Sequence, residues 1–141
     1  MKQLRGILLV DDNDTSNFLN KRLLKRVQIT DNITVLSNGK LAIDYLHTLS
    51  QKSKAGLGTD IKPELILLDI NMPVLDGFEF LELYQELPEE FRQDILIAIL
   101  STSNHPQDTG KASSYNAYYI TKPLTIEKIE VLLKMHYPAS E

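Results

Sequence analysis

Three short apolar runs set the tightest limit on what this chain can fold into. They lie at residues 6–10 (GILLV), 64–68 (ELILL) and 95–100 (ILIAIL). Each is nearly continuous rather than alternating, and each is too short for a buried helix. Continuous apolarity over so few residues predicts strands covered on both faces, as in a parallel sheet. Two weaker runs fit the gaps. Residues 33–36 (ITVL) follow Asp31-Asn32 and stop at Ser37-Asn38-Gly39; residues 117–120 (AYYI) follow Asn116 and stop at Thr121-Lys122-Pro123.

Helical periodicity fills the spaces between the runs. Residues 14–27 place Phe18, Leu19, Leu23, Leu24 and Val27 on one face. Residues 39–50 offer Ala42, Ile43, Leu46 and Leu49, and residues 77–87 offer Phe78, Phe80, Leu81, Tyr84 and Leu87. Pro106 suits the first turn of a helix reaching about Tyr115. Residues 125–136 give Ile126, Ile129, Leu132, Leu133 and His136. Strand and helix thus alternate throughout, which predicts an α/β fold: a doubly wound parallel sheet with helices on both faces. Residues 51–63 are polar, carry two glycines and read as a surface loop.

Composition narrows the function classes. At 141 residues the chain is the size of one domain. The absence of cysteine excludes disulfides, thiolate metal sites and a cysteine nucleophile. A net charge of −4 gives no electrostatic footprint for nucleic acid. The apolar stretch Ile7–Val10 is only 4 residues long, whereas a signal peptide wants about 7–15 and a membrane span about 20. A cytoplasmic protein without membrane insertion is expected.

In a parallel α/β sheet, ligands bind beyond the carboxyl ends of the strands. The first run ends in Asp11-Asp12, and the third strand in Asp69, followed by Ile70-Asn71-Met72-Pro73. The fourth ends in Ser101-Thr102-Ser103, and the fifth in Thr121-Lys122-Pro123. A single Asp after a strand is commonly a turn or cap residue. Three at one rim repel one another unless a cation neutralises them. Mg²⁺, a hard ion that takes carboxylates, carbonyls and waters, suits such a set. Lys122 supplies a counter-charge, and the following proline favours a turn that aims it across the strand ends. Ser101 follows its strand directly, leaving Ser103, Asn104 and His105 to cap the helix at Pro106. A carboxylate in this setting can act as a nucleophile and form an acyl phosphate, with the ion and the lysine neutralising the phosphoryl oxygens. No GxxxxGK[ST] loop and no GxGxxG follows the first strand. His47, His105 and His136 are scattered, without metal-ligand spacing.

These residues carry a family resemblance. ILLVDD at 7–12, LLDINMP at 67–73 with Asp76-Gly77, ILS at 99–101 and YITKP at 119–123 occur in order, each at a predicted strand. Over about residues 4–136 the chain resembles the receiver domain of two-component response regulators, the class that includes the single-domain chemotaxis regulators. The resemblance implies a flavodoxin-like (βα)5 fold with strand order 2-1-3-4-5. It implies Asp69 as phosphoacceptor. Asp12 and Asp69 would bind Mg²⁺ directly, with the backbone carbonyl of Asn71 as a third ligand and Asp11 acting through bound water. Lys122 would contact the phosphoryl group and pair with Asp69 before phosphorylation. Ser101 would be the switch hydroxyl and Tyr119 its aromatic partner, while Asn71 and Ser103 would tune the rate of phosphate loss.

The partners implied are a sensor histidine kinase or histidine phosphotransfer protein, and a downstream protein. The latter would read the face made by the helix at 106–115, the strand at 117–120 and the helix at 125–136. Catalysis would extend only to the chain's own phosphorylation and dephosphorylation. Residues 137–141 read as a short tail with no effector domain, so direct DNA binding is not expected. Two departures stand out. Asn116-Ala117 replaces the usual Gly-Ala, and asparagine also tolerates a left-handed turn. The 51–63 loop is long, but it precedes the third strand, at the amino end of the sheet, away from the acids. Rival readings are an unphosphorylated receiver-like adaptor, a receiver cut from a larger protein, and a phosphatase of the haloacid dehalogenase type. The phosphatase wants a second acid where Asn71 stands.

Overall fold

In the computed structural model, which describes residues 2–56, 61–72, 74–103 and 105–137, the apolar runs form the strands of one sheet. They are β1 (Ile7–Val10), β2 (Ile33–Leu36), β3 (Leu65–Asp69), β4 (Leu96–Ser101) and β5 (Tyr118–Thr121). All pairings are parallel, in the order β2-β1-β3-β4-β5. The three central strands carry the continuous apolar runs and are buried along their whole length. The edge strands β2 and β5 are the weaker runs, and most of their residues are only half-buried. From β1 the chain adds β2 on one side and then β3 to β5 on the other, so the winding switches between β1 and β3, where parallel α/β sheets open a crevice.

Helices cover both faces: α1 (Asp14–Arg26), α2 (Gly39–Lys54), α3 (Gly77–Tyr84), α4 (Glu89–Arg92), α5 (Pro106–Ser114) and α6 (Ile126–His136). One apolar layer packs Leu46 of α2, Phe80 and Tyr84 of α3, Phe91 of α4 and Ala112 of α5 against Leu8, Val10 and Ile99. The other packs Leu24 of α1 and Ile129 and Leu133 of α6 against Leu67 and Leu100. Side-chain caps fix where the helices start. Asn13, Asn38 and Thr125 each accept a backbone N–H three residues on. Asp76 and Glu79 form a reciprocal capping box at α3.

Four details differ from the sequence reading. In α1, Phe18 and Leu19 stand 63% and 54% exposed, and the buried residues are Asn17 and Leu24. The reason is polar: the Asn17 amide turns inward to a backbone carbonyl at the end of β1. The 51–63 segment is not wholly a loop. Helix α2 runs on to Lys54, over glutamine and lysine residues that favour helix; positions 57–60 lie outside the described residues. The helix expected over 77–87 closes at Tyr84, and Leu87 follows it, buried. Finally, α4 is a single turn behind Pro88, with acidic residues at its positive end and Phe91 anchored in the core. At the turn into β5, Asn116 takes φ 61°, the left-handed conformation expected of it.

Candidate functional site

The sheet register brings the acids together. β1 and β3 are neighbours, with Val10 opposite Leu68, so Asp11 follows one strand beside Asp69, the last residue of the other. One carboxylate oxygen from each of Asp11, Asp12 and Asp69 lies within 4.8 Å of the others. Asp11 and Asp69 are buried, at 4% and 7% exposure, while Asp12 faces solvent. Asp11 is held in place twice. Its Oδ1 accepts the Asn13 backbone N–H at 2.9 Å, and its carbonyl accepts the Asn17 amide at 2.8 Å. Asn17 was not singled out in the sequence. Its signal is its spacing, seven residues before buried Leu24 and so on the same helical face.

Lys122 enters from β5. Its backbone N–H donates to the Ser101 carbonyl at 2.7 Å, and the Lys122–Pro123 peptide is cis. The ammonium lies 3.0 Å from Asp69 Oδ1 and 3.4 Å from Asp11 Oδ2. Burial holds the Asp69 carboxyl above the ordinary carboxylate range. The Lys122 hydrogen bond opposes that shift, and the charges of Asp11 and Asp12 add to it. Burial by itself would lower the Lys122 ammonium, but its bond to Asp69 and the charges of Asp69 and Asp11 outweigh it and leave Lys122 raised.

The loop after β3 folds tightly back. Gly77 donates to the Ile70 carbonyl at 2.8 Å, and a Cβ on Gly77 would come within 2.8 Å of the Asp69 carbonyl oxygen. Only glycine fits that approach. Asn71 is exposed just beyond Asp69. Pro73 of the same motif lies outside the described residues. Across the rim, Ser101 is buried at 3% exposure, and its Oγ accepts the Ser103 backbone N–H at 3.1 Å. The Tyr119 hydroxyl donates to the Ser103 carbonyl. Ser101, Ser103 and Tyr119 thus form one hydrogen-bonded group, joined to the acids through Lys122. The histidines stay apart. His105 caps α5, its Nδ1 accepting the Gln107 N–H at 3.2 Å, and His136 packs edge-on to Tyr118 and Tyr137. Asn104 lies outside the described residues.

Three clustered carboxylates, one of them open to solvent, offer only hard oxygen donors. That set fits Mg²⁺ and does not suit a soft thiolate-seeking metal. A parallel five-stranded sheet with acids at its carboxyl rim and a facing lysine defines a class, and the sequence matches it. This chain belongs to the response regulator receiver domain family, whose model matches residues 7–134.

The two-component response regulator ARR17 of Arabidopsis thaliana is 30% identical over 133 residues, covering 94% of this chain and 84% of the relative. A two-component response regulator from Cytophaga hutchinsonii, known by crystal structure, superposes with TM-score 0.81 at 30% identity. That match covers 95% of this chain and 97% of the other. A protein-glutamate methylesterase/protein-glutamine glutaminase of Desulfotalea psychrophila is 36% identical over 124 residues, but this chain spans only 30% of it. Domains of this family therefore also occur within enzymes. Among the described residues no helix is long and apolar enough to cross a membrane.

Proposed function

We propose that this chain is a phospho-accepting receiver that takes a phosphoryl group on Asp69, switches conformation and signals by protein contact. The observation that carries the reading is the placement of Asp69, at the end of β3 beside Asp11 and Asp12, with Lys122 at 3.0 Å. The phosphodonor is a phosphohistidine of a sensor histidine kinase or histidine phosphotransfer protein. An Asp69 carboxylate oxygen attacks phosphorus. The O–P bond forms as the N–P bond breaks, and the electron pair stays on the freed ring nitrogen, so the donor leaves as a neutral imidazole that keeps the proton on its other nitrogen. Asp12, Asp69 and the Asn71 carbonyl would hold Mg²⁺, with Asp11 reaching it through water. The ion would neutralise phosphoryl oxygens. Lys122, already on Asp69, passes to the phosphoryl group.

The new group adds about −1.5 to −2 charge and three acceptor oxygens. The Ser101 hydroxyl turns toward one of them, and Tyr119 leaves the Ser103 carbonyl and moves inward. This biases a pre-existing equilibrium read on the face of α5, β5 and α6. Asn71 and Ser103 border the route of an attacking water and set how long the phosphoryl group persists. The unit spans residues 4–136, works in the cytoplasm and catalyses only its own phosphoryl gain and loss. Acetyl phosphate with Mg²⁺ tests this on a phosphate-affinity gel. One shifted band is expected for the wild type, and none with excess chelator or with Asp69→Asn. Equal shifting of Asp69→Asn overturns the assignment. Steady hydrolysis of small phosphomonoesters would favour a phosphatase instead.

A further inference from the structure

Lys128 occupies the third position of α6, where its backbone N–H donates to the Thr125 capping hydroxyl at 3.2 Å. That position favours glutamate, which completes a capping box and suits the positive end of the helix dipole. A lysine there works against the dipole. Its side chain instead runs back out of the helix, half-buried, toward the end of β5. The ammonium donates to the Thr121 carbonyl at 2.5 Å and to the Pro123 carbonyl at 2.8 Å. Those carbonyls belong to the residues on either side of Lys122.

We infer that Lys128 is a positioning residue for Lys122. Its two charge-assisted bonds grip the turn from the α6 side. The bond from the Lys122 backbone N–H to the Ser101 carbonyl, at 2.7 Å, grips it from the β4 side. Between these holds, the Lys122 ammonium is kept over Asp69 and Asp11. The consequence for phosphorylation rests on the proposed role of Asp69; the grip on the turn does not.

Lys128→Met keeps the length of the stem and removes the donors, whereas Lys128→Arg keeps donors for both carbonyls. With acetyl phosphate and Mg²⁺, Lys128→Met is expected to slow phosphorylation by about 10- to 100-fold, the scale of a misplaced reacting group. Lys128→Arg recovers most of the rate. In a Lys122→Met background, Lys128→Met adds no further slowing, because its effect passes through Lys122. Amide hydrogen exchange at Lys122, read by NMR on unphosphorylated protein, should quicken in Lys128→Met and stay slow in Lys128→Arg. A wild-type rate in Lys128→Met overturns the inference, as does equal slowing in the Lys122→Met background. If the wild type takes no phosphoryl group at all, it is the role of Asp69 that fails. The exchange rate at Lys122 then decides on Lys128 alone: quickening in Lys128→Met supports it and an unchanged rate overturns it.

Discussion

Asp11, Asp12 and Asp69 share one rim but not one environment. Asn17 holds the Asp11 backbone carbonyl, and the Asp11 carboxylate is buried, accepting from Asn13 and pairing with Lys122. Asp12 is exposed and free to meet an ion. Asp12→Ala is therefore expected to weaken Mg²⁺ binding at least about tenfold by titration calorimetry, since losing even an outer-shell partner costs that much. Unchanged affinity would remove Asp12 from the proposed metal site. A second residue stands out for strain. Val74, 83% exposed, sits at φ 71°, a conformation that a β-branched side chain rarely takes. Asparagine tolerates it. Val74→Asn should raise the melting temperature by a few degrees, in keeping with relief of about 1 kcal/mol. A lower melting temperature would contradict this.

At the scale of elements, packing decides more than pattern. Phe80 is fully buried in α3 and stacks on Tyr84 with ring centroids 5.9 Å apart. Phe80→Ala should destabilise the fold by about 3–5 kcal/mol in urea unfolding. A loss under about 1 kcal/mol would mean that α3 is not anchored as described. The strands were legible in the sequence because burial on both faces writes itself as continuous Leu, Ile and Val. The site was legible for a related reason: strand ends in a parallel sheet share one rim, so Asp11, Asp12, Asp69 and Lys122 could be placed together from order alone. Helix α1 was misread because periodicity counts Phe18 and Leu19 as core. The hydrogen bond that draws Asn17 inward is tertiary and leaves no apolar mark. The single turn of α4 was missed because one buried phenylalanine in four residues has no period. Lys128 was invisible because a lysine at the start of a helix looks like any solvated charge until its carbonyl partners are in place.

Across the whole molecule, the two apolar layers tie all the helices to one sheet, so events at the rim and at the far helices share one stability. His136 reports on that stability. Burial lowers its imidazole below the ordinary value of 6.5. As pH falls through 6.5, the unfolded chain takes the proton first. This contribution is therefore full above that value and is lost on acidification through the lower folded-state pKa. Between about pH 7 and about pH 5 the urea midpoint of the wild type should fall more steeply than that of His136→Gln. Identical pH slopes would show that His136 titrates alike folded and unfolded.

The central claim concerns a bond at one side chain, and reductive trapping reads it directly. Borohydride converts an aspartyl phosphate to homoserine, which peptide mass spectrometry can locate. After acetyl phosphate and Mg²⁺, the expected result is homoserine at position 69 and at no other aspartate. Trapping at position 11 or 12, or none at position 69, would contradict the account.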